Sequence, residues 1–127
     1  MGPNLFVTFG EGVRIALELR TDSTPTVKML VSKAPFESSA HRWGDEVYFD
    51  VPFHAEIEPD ARQDMDVGEV AFWPDGDALA IFFGPTPVSK GSKPRAYSPC
   101  NIVGRVGGDP SSLSSVEEGT VARVIKE

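Results

Sequence analysis

The stretch Phe72-Trp73-Pro74-Asp75-Gly76-Asp77-Ala78-Leu79-Ala80-Ile81-Phe82-Phe83-Gly84-Pro85-Thr86-Pro87-Val88-Ser89 decides the fold. Two β-prone runs, Glu69 to Trp73 and Ala78 to Phe83, flank Pro74-Asp75-Gly76-Asp77, a strong turn signal. They read as paired strands. Ala78 to Phe83 is apolar throughout, which predicts a strand covered on both faces. Successive strand residues point to opposite sides. In each of the pairs Phe72-Trp73 and Phe82-Phe83, one aromatic ring therefore faces away from the interior.

The same signals extend in both directions. Leu5 to Phe9, the turn Gly10-Glu11-Gly12 and the alternation of Val13, Ile15, Leu17 and Leu19 with polar or small residues predict a hairpin over residues 4–20. Thr24 is a good N-cap, Pro25 suits the first helical position, and Val27, Leu30, Val31 and Ala34 make one apolar stripe before Pro35 stops the helix. Ser38 to Trp43 and Glu46 to Val51 read as strands about a Gly44-Asp45 turn, with Val47, Phe49 and Val51 on one side and Glu46, Tyr48 and Asp50 on the other. His54 to Glu58, Asn101 to Val106 and Thr120 to Ile125 complete the strands. Pro110 to Val116 is a second short helix capped by Asp109. Gly84 to Pro99 reads as the longest loop and holds four of the eleven prolines. The sum is a mainly β chain of eight or nine short strands and one or two helices, a barrel or sandwich in a single domain, 1–127.

The length of 127 residues suits one domain with a core of its own. A net charge of −7 argues against nucleic-acid binding. Eight acids and one base lie between Glu56 and Asp77, so this segment holds the entire net charge. A solvated surface accounts for it, while any basic ligand or cation would prefer that rim. Asp60, Asp64, Asp66 and Glu69 lack the alternation and central Gly of a calcium loop. No apolar run reaches membrane-span length. The N-terminal residues match neither a secretory signal nor a myristoylation site. The expectation is a cytoplasmic domain without membrane or nucleic-acid partners and without a cofactor.

Phe72 to Ser89 resembles a signature of a small prokaryotic cyclophilin-like family of unknown function. Pro35-Phe36-Glu37-Ser38, Trp43 to Phe49, Ser98 and Asn101 to Val106 fit the same family in order and spacing. The resemblance implies a closed cyclophilin-like β-barrel of about eight strands with helices plugging its ends. Cyclophilins proper are prolyl isomerases. They aim an Arg at the proline nitrogen of an X-Pro amide, whose rotation barrier is about 18–20 kcal/mol, and hold the ring in an apolar pocket. His41-Arg42 resembles their His-Arg pair, which makes Arg42 the candidate donor. The Phe-x-x-Gln-Gly-Gly-Asp run that follows in cyclophilins has no counterpart here.

Three functions follow as expectations. The first is a binding module for a peptide or small metabolite, with Tyr48, Trp73, Phe83, Thr86, Pro87 and Asn101 as ligand contacts. The rings suit a binding surface, the Gly84-Pro85-Thr86-Pro87 backbone a stiff rim, and Asn101 offers a donor and an acceptor. Packing under a loop, a plain strand exit and an amide tying down the preceding loop are the structural alternatives. The second is a divergent isomerase using Arg42. The third, by fold analogy, is an accessory subunit of a lactam- or urea-derivative hydrolase assembly. Cys100 reads as a buried structural thiol, and His41 and His54 are too few for a metal site.

Overall fold

The computed structural model describes residues 5–126; the motif readings on Met1–Asn4 lie outside the described residues. The strands are β1 (Leu5–Phe9), β2 (Val13–Leu19), β3 (Phe36–Ser39), β4 (His41–Arg42), β5 (Glu46–Asp50), β6 (Arg62–Asp64), β7 (Glu69–Trp73), β8 (Ala78–Phe82), β9 (Arg95–Gly107) and β10 (Val121–Lys126). Helix α1 (Pro25–Lys33) follows β2, and a 3-10 helix, Pro110–Ser115, precedes β10. The strands form one antiparallel sheet in the order β3-β10-β1-β2-β9-β7-β8-β5-β4, with β6 paired to β9 off this path.

The mainly β expectation holds, but the closed barrel of about eight strands does not. Among the described residues the sheet has ten strands and no ladder joins its two ends. The physical reason lies at Ala40. Its N–H donates to the Thr120 carbonyl and its own carbonyl accepts from Gly119 N–H. These bonds interrupt what would be one strand. The half before Ala40, β3, pairs with β10, and the half after it, β4, pairs with β5. The two edges of the sheet are thus one residue apart in the chain without being hydrogen-bonded to each other.

Alternation places two apolar faces. Val7, Ile15, Leu17, Val47, Phe49, Val70, Phe72, Leu79, Ile81, Val103 and Val124 point into the main core. Val27 and Leu30 of α1 and Leu113 of the 3-10 helix pack onto it. Thr24 Oγ1 caps α1 by accepting from Val27 N–H, and the nine-residue helix depends on this docking for stability. Ala71, Ala80, Phe82, Ala96 and Cys100 face the other way and form a second buried cluster with Met65. All five β8 residues are therefore buried, as their unbroken apolar run implies.

Three segments differ from expectation, the first being Arg62–Asp64, a strand paired with β9 where none was expected. Residues His54–Glu58 form no strand, because side chains take the place of a ladder. Asn101 Oδ1 accepts from Glu58 N–H, and Asn101 Nδ2 donates to the Glu56 carbonyl. The expected loop Gly84–Pro99 ends earlier, because β9 begins at Arg95. Pro99 is tolerated inside β9 where the pairing with β6 is irregular. No helix among the described residues is long and apolar enough to cross a membrane.

Candidate functional site

The outward face of β5, β8, β7 and β9 carries a cavity of about 190 Å³ lined by Trp43, Glu46, Tyr48, Trp73, Ala78, Ala80, Ala96, Tyr97 and Cys100. The sequence makes this hollow by placing small residues between large ones. Ala80 is registered between Tyr48 and Ala71, and Ala78 between Asp50 and Trp73. Alanines at the floor leave the space that larger side chains would fill.

Each wall is held. Trp73 Nε1–H donates to Ser98 Oγ at 2.6 Å, and that hydroxyl reaches Asp75 at 3.3 Å. The rings of Trp43 and Trp73 both meet Tyr97 edge-on, with centroids 6.1 and 6.0 Å away and planes at 70° and 79°. Trp43 and Glu46 close the β4–β5 hairpin through reciprocal backbone bonds, with Gly44 at φ +59° in the first central position. Pro85, Thr86 and Pro87 brace this turn from outside. Asp45 N–H donates to the Pro85 carbonyl, and a Cβ on Gly44 would meet Pro87 Cδ at 2.9 Å. Thr86 Oγ1 ties the brace to β9 by donating to the Arg95 carbonyl.

Glu46 is the chemical feature of the cavity. Its residue is 8% exposed, and its buried Oε1 has no hydrogen-bond partner. Burial pushes its carboxyl up to about 8. Burial, with Glu46 and Asp75 nearby, pushes the Cys100 thiol up to about 12, so it is no thiolate nucleophile at neutral pH. Tyr48 is also raised, first by burial and then by Glu118, Glu46 and Asp50. No basic side chain lines the cavity.

Of the residues expected from sequence, Tyr48 and Trp73 line this cavity together; Arg42, Phe83, Thr86, Pro87 and Asn101 do not. Thr86 and Pro87 act one layer behind it. Phe83 lies beneath the Arg42 guanidinium, 5.0 Å from it, and packs on the main core. Arg42 donates to the carbonyls of Gly44, Ser114 and Val116. Asn101 is fully buried, and besides Glu56 and Glu58 it binds Thr26 Oγ1. Glu46 and Tyr48 sharing a face was legible from the period of two. Trp43 gave a weaker signal, as the residue opening the Gly44-Asp45 turn. Tyr97 gave none, because Pro94 and Pro99 made its segment read as loop.

The acidic segment is less free than its composition implies. Asp60, Asp64, Asp66 and Glu69 pair with Arg20, Arg95, Lys93 and Arg62. His54 bridges Glu56 and Asp77, which hold its imidazole above its ordinary value, Asp77 more strongly. Folding thus brings Arg20, Lys93 and Arg95 from outside the segment onto it. No cluster of three potential metal ligands occurs among the described residues.

Comparison with known proteins agrees with this architecture. The solution structure of a hypothetical protein from Archaeoglobus fulgidus superposes with a TM-score of 0.84 at 33% identity, over 98% of this chain and 95% of that one. No curated protein gives a significant match. The family model described as Cyclophilin-like matches residues 3–125, and the chain belongs to that cyclophilin-like family.

Proposed function

We propose that this chain is a binding protein whose ligand, a small molecule or a peptide side chain, enters the cavity between Trp43, Tyr48, Trp73 and Tyr97. The observation that carries this reading is a hollow walled by rings and floored by alanines, with the largely buried Glu46 carboxyl in its lining. Convergence of apolar walls and a few aimed polar atoms is the usual build of a ligand site. The rings are held by hydrogen bonds and edge contacts, so little ordering entropy is lost on binding. The isomerase alternative gains no comparable support, because Arg42 spends its donors on backbone carbonyls away from the cavity.

The test is a screen of small molecules and proline-containing peptides, read by NMR shifts of the Trp43, Trp73 and Tyr97 side chains. The Ala80→Leu variant, which fills the floor, serves as control. Saturable shifts that Ala80→Leu abolishes support the reading. Absence of any saturable shift across the screen, or binding indifferent to Ala80→Leu, overturns it.

A further inference from the structure

The chemistry of the cavity narrows the ligand class, and this step rests on the binding reading above. Four aromatic rings and one largely buried carboxyl line the space, and no Lys, Arg or His does among the described residues. Tyr97 stands nearly perpendicular to both tryptophans, so the rings form corners of a box rather than a stack. Ring faces attract cations, above all those whose charge is spread over alkyl groups. The other acids felt at the wall, Asp75 at Cys100 and Glu118 and Asp50 at Tyr48, favour positive charge there. Glu46 Oε1 also lacks a donor.

We propose that the cavity binds an alkylated ammonium head carrying at least one N–H, which donates to the Glu46 carboxyl while its alkyl groups lie against Trp43, Tyr48, Trp73 and Tyr97. A carboxyl buried without a counter-charge holds its proton, as Glu46 does. A bound cation supplies that counter-charge, so binding at neutral pH releases the Glu46 proton to solvent. A neutral ligand would use the rings but supply no counter-charge to the Glu46 carboxyl. A quaternary head would use rings and charge but bring no donor.

Three probes of similar size separate charge from donor: trimethylammonium brings both, tetramethylammonium the charge alone, and tert-butanol an O–H donor alone. Each is titrated into the full chain at pH 7 and followed by the side-chain NMR signals of the cavity. Trimethylammonium binds about tenfold or more tighter than tert-butanol, with tetramethylammonium between them. Glu46→Gln removes most of the difference. Trp73→Phe weakens both cations and serves as a second variant should Glu46→Gln not fold. Equal binding of trimethylammonium and tert-butanol at the cavity overturns this inference but leaves the binding reading standing. Silence from all three probes and from the wider screen overturns both. A peptide bearing dimethyllysine, against its unmodified form, tells a protein-borne head from a free amine; binding of trimethylammonium without that peptide supports the free amine.

Discussion

The Trp73 ring occupies the space that a Cβ on Gly76 would need. Gly76 sits in the β7–β8 turn, where its N–H donates to the Trp73 carbonyl. One wall of the cavity therefore leans on the turn of the hairpin that carries it. Gly76→Ala forces the indole off this seat and strains its bond to Ser98. The expected cost is about 1–3 kcal/mol, the usual range for overpacking. Urea unfolding measures it, and the Trp73 indole N–H resonance shifts as the Ser98 bond lengthens. An unmoved resonance would show that the turn does not set the ring.

Asn101 holds segment 53–61 where a ladder is missing. Its amide serves Glu58 N–H, the Glu56 carbonyl and Thr26 Oγ1 at once. Thr26 in turn donates to Glu58 Oε2, so one side chain links β9, α1 and the segment. Asn101→Ala removes the partner of Glu58 N–H and of the Glu56 carbonyl and one partner of Thr26 Oγ1, and costs about 2–4 kcal/mol, counting about 1–3 kcal/mol for each group water cannot reach. Hydrogen exchange at Glu58 N–H rises more than the global change. A uniform rise would mean that the amide supports the fold without pinning this segment.

These two sites show what a linear reading captures. Period-two patterning placed Val47, Phe49 and Val51 inside and Glu46 and Tyr48 outside, because alternation is a local property of extended chain. The caps at Thr24 and Asp109 were equally local. The break at Ala40 was not, because it comes from bonds to Gly119 and Thr120, about eighty residues away. The absence of a strand at His54–Glu58 depended on Asn101 in the same way. The site residues divide along this line: Tyr48 and Trp73 were readable from their strands. Tyr97 becomes a wall only because β9 carries it back to Trp43 and Trp73. The compensation of the acidic segment also needed the fold, since Arg20, Lys93 and Arg95 are distant in sequence.

Arg42 ties the 3-10 helix to the β4–β5 turn. Its Nη1 donates to Val116 at 2.8 Å and Ser114 at 3.2 Å, and its Nη2 to Gly44 at 3.1 Å. Arg42→Ala unlatches the helix end and lowers stability by about 1–3 kcal/mol. Four of its five N–H groups are so engaged, which argues against an arginine held ready for a proline nitrogen. We expect no acceleration of prolyl cis/trans exchange by the wild-type chain or by the variant. Acceleration by the wild type that Arg42→Ala abolishes would establish the isomerase alternative.

Glu46 makes stability fall with pH in a defined window. Its folded carboxyl titrates near 8, against an ordinary value of 4.5. Between those values the folded chain keeps a proton that the unfolded chain has released. Unfolding then sets a proton free, so rising pH favours it, with a slope of up to about 1.4 kcal/mol per pH unit. The contribution is flat below 4.5, lost progressively through the window, and flat again above 8. His54, also raised, loses its own stabilisation as pH climbs through its folded value, so the total profile mixes both groups. The difference between wild type and Glu46→Gln isolates Glu46, because His54 is common to the two proteins. That difference should grow in favour of the variant by a few kcal/mol between pH 5 and pH 8, measured by urea unfolding. A saturating alkylated ammonium ligand should shrink it again, since a paired carboxylate no longer needs its proton. Parallel profiles would mean that Glu46 ionises normally in the folded chain, and with that the cavity would lose its unmet demand for a cation.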